Sequence, residues 1–258
     1  MYRTTLLITA LFLSLITPLA AQQVVAHRGC HNVEGASPNS IAALHAADSI
    51  GLAVVEIDVI LTLDKHLVVA HGPRHNSRNK SVHIASTTLE TLRQMPLDNG
   101  ELLPTFEEFL QKVKNLPNIT LFVEIKTSGN NVTHDELFTM VDNLIVKHGL
   151  IERTSYIAFS KRICDLAAQN NRLALYLGSD TSPRHIAKRN YQGINYSIHI
   201  LRLNPRWISK AHELGLKVGV WTANSSKDIA WAIKHGVDYI TTDNPQLATE
   251  LITTYKQY

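Results

Sequence analysis

Short runs of β-branched and other apolar residues alternate along most of this chain with longer segments of helical period. That alternation restricts the fold to architectures built from repeated strand–helix units. The runs fall at about 24–28, 54–59, 120–125, 155–159, 173–177, 193–197, 217–221 and 238–241. Helix punctuation follows most of them. Thr87 with Glu90, Thr105 with Glu108 and Thr133 with Glu136 fit the capping box, in which a hydroxyl and a carboxylate satisfy backbone N–H groups at a helix start. Asn204-Pro205 and Asn244-Pro245 read as an N-cap followed by proline at the first helical position, and Gly51, Gly149, Gly215 and Gly236 stand where helices should stop.

Eight such units over residues 22–258 suit a (β/α)8 TIM barrel, an α/β fold of about 250 residues. A doubly wound sheet would place a Gly-rich turn after its first strand, whereas HRGCHNVEG holds two glycines and no GxGxxG. Segment 60–118 is too long for one connection, and its LVVA run at 67–70 precedes two helical stretches. The expectation is a small inserted hairpin with helices, placed directly after the second strand. No linker or low-complexity stretch divides the rest, so residues 22–258 read as one domain.

The N-terminal stretch MYRTTLLITALFLSLITPLAAQQ sets Arg3 ahead of an apolar run from Leu6 to Ile16, then Pro18 and the small residues Ala20 and Ala21. The run is short of the ~20 residues needed to span a bilayer. Residues 1–21 therefore read as a secretory signal peptide and the protein as exported, periplasmic or secreted, without stable membrane insertion. A formal net charge of +3 over 258 residues, with no Lys/Arg run longer than two, excludes an obvious nucleic-acid-binding surface. Cys30 and Cys164 lie in separate elements and no CxxC occurs, so neither a disulfide nor a zinc finger is implied. The oligomeric state is not legible.

In a barrel the functional groups gather at the carboxyl ends of the strands. Strand one ends in His27 and Arg28, strand two carries Glu56 and Asp58, strand three carries Glu124 and Lys126, and strand seven ends in Trp221. A period of two puts Glu56 and Asp58 on one strand face and Glu124 and Lys126 on one face. Three carboxylates at one barrel mouth would repel and raise one another's pKa, which a bound cation relieves; oxygen ligands with no Cys favour Mg²⁺ or Ca²⁺ over zinc. The plainer alternative is salt bridging to Arg28 and Lys126 alone. His71, after the LVVA run, pairs with His27 as a plausible acid and base. Asp243 reads as a helix-entry cap beside Asn244-Pro245. The remaining histidines, including His45, His66, His75, His83 and His199, read as surface or loop residues, and His31 as a residue close enough to line the pocket.

HRG at 27–29, GASPNSIAAL at 35–44, VEIDV at 55–59, VVAH at 68–71, LPTFEEFL at 103–110, VEIK at 123–126, VWTAN at 220–224 and GVDYITTDNP at 236–245 resemble, in order, the motifs of the glycerophosphodiester phosphodiesterase family. The resemblance spans the chain after its N-terminal stretch. It implies a (β/α)8 barrel with a small inserted subdomain, hydrolysing glycerophosphodiesters to sn-glycerol 3-phosphate and an alcohol with a divalent cation. Carried over, Glu56, Asp58 and Glu124 look like the metal ligands, His27 and His71 like the acid–base pair, and Arg28 and Lys126 like the phosphate-contacting cations. Trp221 is placed to pack against the glycerol or alcohol group. The chain departs from the family in two places. Ser37, Pro38, Asn39 and Ser40 stand where the family commonly reads PENT, and Gly72 stands where an Asp usually follows the His. Without that neighbouring carboxylate, His71 is expected to be less basic or less firmly oriented.

Other readings meet the same residues. A barrel glycosidase uses paired carboxylates but leaves Arg28, Lys126 and two histidines unexplained. A phosphodiester-binding protein with weak or lost turnover would keep the pocket. A phospholipase D-like enzyme would want an apolar rim, whereas segment 72–104 is polar and basic, with Arg74, His75, Arg78, Lys80 and His83.

Overall fold

The computed structural model describes residues 22–77, 80–127 and 132–255. The segment read as a signal peptide, residues 1–21, lies outside them, as does Arg78 of the insertion.

Eight parallel strands close on themselves. β1 (Gln23–Ala26) and β2 (Val54–Leu61) are followed, after an insertion carrying β3–β5, by β6 (Thr120–Ile125), β7 (Thr154–Ala158), β8 (Leu173–Tyr176), β9 (Gly193–Ser197), β10 (Lys217–Trp221) and β11 (Tyr239–Thr242). The spatial order β1-β11-β10-β9-β8-β7-β6-β2 is sealed by pairing of β1 with β2. The expected TIM barrel is what forms, with strand limits shifted by no more than two residues. The helices run α1 (Ile41–Ser49), α2 (Leu89–Arg93), α3 (Phe106–Lys114), α4 (His134–Lys147), α5 (Lys161–Gln169), α6 (Pro183–Ala187), α7 (Ile198–Leu203), α8 (Arg206–Glu213), α9 (Ser226–Lys234) and α10 (Pro245–Tyr255). Among the described residues no helix is long and apolar enough to cross a membrane.

Period-two strands sort their side chains into two compartments. Outward residues such as Val55, Ile57, Val123 and Val220 meet the apolar stripes of the helices in one large core, while Val25, Val54, Phe122, Ile157 and Leu175 fill the barrel interior. Cys30 and Cys164 are buried and free.

The insertion starts where β2 overruns the barrel. β3 (Leu67–Val69) pairs antiparallel with Val59–Leu61, and a second hairpin, β4 (Arg74–Ser77) with β5 (Lys80–His83), precedes α2. Ile60, Val68, Ala70, Ile84, Leu92 and Leu103 give this subdomain its own small core. Glu101 clamps it to the barrel, accepting Ile41 N and Ala42 N at 2.9 and 3.0 Å in the first turn of α1, which has no acidic residue of its own.

Two capping boxes form as read, at Thr105/Glu108 and Thr133/Glu136. The third does not. Thr88 caps α2, while Thr87 ends the preceding 3-10 turn and donates its hydroxyl to His83 O. Asn204 likewise closes α7, its amide donating to Ile200 O, and Pro205 occupies the cap position of α8. Both misreadings arise where two short helical segments abut, so that one polar residue serves the element behind it. His75 is not a surface residue: it is buried, with Nε2 at 2.6 Å from Met95 O.

Candidate active site

The carboxyl ends of the strands surround a cavity of about 130 Å³ lined by His27, Arg28, Glu56, His71, Glu124, Lys126 and Trp221 among others. Every residue singled out from strand ends is therefore brought to one place, except that Asp58 lies just behind the wall, fully buried.

The HRG turn sets one side. Arg28 (φ 56°) and Gly29 (φ 80°) both adopt left-handed backbone. A Cβ on Gly29 would stand 2.7 Å from Ala43 Cβ and 2.9 Å from its carbonyl carbon, so only glycine fits. This turn aims Arg28 N at Glu56 Oε2 (2.8 Å) and brings the guanidinium to 3.6 Å from Asp58 Oδ2. Asn39, also left-handed (φ 64°), holds Asp58 from both sides: its amide donates to Oδ2 at 2.9 Å, and its Oδ1 accepts Asp58 N at 3.2 Å. The asparagine retained from the PENT-like segment thus fixes a buried carboxylate.

Register places Asp58 opposite Glu124. Oxygens of Glu56, Asp58 and Glu124 lie within 4.8 Å of one another. Lys126 Nζ stands 2.6 Å from Glu124 Oε1 and 2.9 Å from Asp58 Oδ1, yet Asp58 Oδ1 receives no well-directed hydrogen bond. Two cations face three acids, and the shortfall shows in their titration. Burial, then Asp58 and Glu124, push Glu56 well up; burial, opposed by Lys126 and assisted by Asp58, brings Glu124 to about 7. Asp58 stays low: burial works to raise it, but Lys126 and Asn39 outweigh burial. The donor set of three convergent carboxylates, one with an orphaned oxygen and two inclined to hold protons, fits a hard divalent cation.

The histidines differ in surroundings. Burial lowers His71 to about 4; Asp58 opposes the shift, and Lys126, Arg28 and His27 add to it. The imidazole is therefore neutral near pH 7 and free to accept a proton. His27 instead places Nδ1 at 2.6 Å from Asp243 Oδ1. Asp243 is not a helix-entry cap. It follows β11, whose Thr242 pairs with Ala26 of β1, and so stands beside the end of β1. Its other oxygen accepts Asn224 Nδ2 at 2.5 Å, while the start of α10 is served by the Asn244 carbonyl, which accepts Ala248 N. Burial raises Asp243, but the hydrogen bonds from His27 and His31 hold it well below the usual carboxylate range. His31 is not among the residues lining the cavity, and its Nε2 stands 3.1 Å from the same Asp243 Oδ1.

Trp221 supplies an apolar wall. Its indole N–H donates to Asn195 O at 2.9 Å, and its ring stands nearly perpendicular to that of Phe159, centroids 5.7 Å apart. Asp243 and Asn39 are the two positioning residues that a reading of single strands passes over. The signal for Asp243 was barrel closure itself, which makes the first and last strands neighbours.

A family model described as the glycerophosphoryl diester phosphodiesterase family matches residues 27–247. A glycerophosphodiester phosphodiesterase of Caldanaerobacter subterraneus is 28% identical over 243 residues, 89% of this chain and 97% of that protein. The crystal structure of a glycerophosphodiester phosphodiesterase from Parabacteroides distasonis superposes with TM-score 0.86 at 32% identity, covering 92% of this chain and 99% of that one. A phosphodiesterase of Oleispira antarctica, in complex with the product sn-glycerol-3-phosphate, shares the fold at TM-score 0.78 and 23% identity, over 90% and 97% of the two chains.

Proposed function

The chain belongs to the glycerophosphoryl diester phosphodiesterase family, and from that premise we propose that it hydrolyses glycerophosphodiesters to sn-glycerol 3-phosphate and an alcohol. The observation that carries the reading is the meeting of three carboxylates, Arg28, Lys126 and two unlike histidines around one small cavity. Glu56, Asp58 and Glu124 would hold Mg²⁺ or Ca²⁺, which when bound supplies Lewis-acid stabilisation of charge on a phosphate oxygen.

The protein's own groups account for the rest. Arg28 and Lys126 neutralise the remaining phosphate charge and orient the phosphorus. His71, held neutral, accepts the proton of the attacking hydroxyl, whether of water or of the glycerol group itself. His27 gives a proton to the leaving alcohol, and Asp243 fixes Nδ1 as its donor nitrogen so that Nε2 is left to act. Trp221 packs against the glycerol or alcohol moiety. The apolar stretch ahead of Ala21 supports export to the periplasm or medium as part of the same reading.

The test is product analysis. With glycerophosphocholine and Mg²⁺ or Ca²⁺, phosphorus NMR should show sn-glycerol 3-phosphate, and His71→Ala and His27→Ala should each slow its release by about 10²- to 10⁴-fold with melting unchanged. Phosphocholine as the product, or near-normal rates in both variants, would overturn the assignment.

A further inference from the structure

We propose that His27, His31 and Asp243 form a second metal site, suited to a borderline transition ion such as Zn²⁺, and that filling it stops turnover. A ring nitrogen of His27, a ring nitrogen of His31 and an Asp243 carboxylate oxygen lie within 4.8 Å of one another, and His27 Nδ1 and His31 Nε2 already converge on Asp243 Oδ1 at 2.6 and 3.1 Å. Two imidazole nitrogens and one carboxylate oxygen are a zinc donor set, which water completes as the fourth ligand. Glu56, Asp58 and Glu124 offer hard oxygens only. The two clusters therefore select different ions.

The ligands are fixed independently. His27 and Asp243 extend two adjacent strands paired at Ala26 and Thr242. His31 follows Cys30, whose N–H donates to Ala43 O at 3.0 Å, pinning the loop to α1. Asn224 already orients the second carboxylate oxygen, the kind of outer hydrogen bond that metal-ligating carboxylates keep. A cavity of about 240 Å³ lined by Cys30, Asn32, Asp243 and Asn244 reaches one of the three ligands, Asp243. His31 touches Asp243 but takes no part in the reaction as derived.

Zinc entering this site displaces the proton shared by His27 Nδ1 and Asp243 to solvent and bonds to both. His27 is then tied through Nδ1, its compensating carboxylate engaged by the ion, and it no longer gains and gives up a proton in each cycle. This inhibitory consequence rests on the catalytic reading of His27; the site itself does not.

Calorimetric titration of Zn²⁺ into protein held in saturating Mg²⁺ tests the site, comparing wild type with His31→Ala and His31→Gln. Zinc inhibition of glycerol 3-phosphate release, each variant measured against its own zinc-free rate, tests the consequence. Loss of an outer-sphere partner costs about 10- to 100-fold in metal affinity; loss of the His31 ligand should cost at least about 100-fold, and the inhibitory zinc concentration should rise with it. The glutamine variant keeps the side chain's bulk should alanine disturb folding. Equal zinc affinity and inhibition in wild type and both variants would overturn the proposal, as would a wild type that takes up no zinc in saturating Mg²⁺. Were the protein to release no glycerol 3-phosphate at all, the titration would still decide the site.

Discussion

At the scale of single residues, the site works by pairing each reactive group with one that fixes it. Asp243 does this for His27 through a 2.6 Å hydrogen bond. Asp243→Asn should lower kcat by up to the 10²- to 10⁴-fold that a positioned acid contributes, with little change in KM, because no substrate contact is removed. Steady-state kinetics would show it, and a change confined to KM would contradict the role. Gly72, where the family resemblance leads one to expect Asp, is open: a Cβ there would come no closer than 3.7 Å to Arg74 O. Gly72→Asp should fold normally and raise the His71 pKa above its value of about 4, measurable by NMR titration of the imidazole. The acids, Arg28 and Lys126 were legible in the sequence because period two and strand ends place them without knowledge of neighbours. Asp243 was not, since its partner depends on which strands are adjacent, and His75 was not, since its burial depends on how the insertion folds.

Among the elements, the strands and the long helices announce themselves by periodicity, and the errors gather in short segments. Thr87 and Asn204 were misassigned because a polar residue between two abutting helical turns caps either one, and only packing decides which. The insertion was visible as excess length, but its attachment was not. Glu101 reaches from it to the first turn of α1, where Ser40 already caps Ala43 N, and accepts two further backbone N–H groups. Glu101→Ala leaves those donors to water and removes a capping interaction, so it should destabilise the protein by about 1–2 kcal/mol. Denaturant unfolding with unchanged slope would verify it, whereas a wild-type midpoint would show that the clamp contributes nothing. Because Ser37 and Asn99 are joined across the same seam, Asn99 N donating to Ser37 Oγ at 3.0 Å, the clamp also steadies the segment that carries Asn39.

For the whole molecule, the excess of acids over cations at the barrel mouth links stability to pH and metal. In the ion-free protein Glu56 is raised and Glu124 stands at about 7, above their unfolded value of 4.5. The folded state then holds protons that the unfolded chain has released, a stabilisation present below pH 4.5 and lost as pH rises through 7. A divalent cation must displace those protons, so its affinity should rise as pH rises through about 7, where Glu124 gives up its proton. The increase in Tm on adding Ca²⁺ or Mg²⁺ should therefore be larger at pH 8 than at pH 6, and an increase independent of pH would contradict the assignment of Glu56 and Glu124 as ligands. The account as a whole turns on whether these three carboxylates and a cation make the cavity a phosphodiesterase. The most direct measurement is glycerol 3-phosphate release from glycerophosphocholine by EDTA-stripped protein as Ca²⁺ or Mg²⁺ is restored, for wild type and Glu56→Gln. Release that returns with the cation in wild type and not in the variant is the predicted result; full-rate release in EDTA would contradict it.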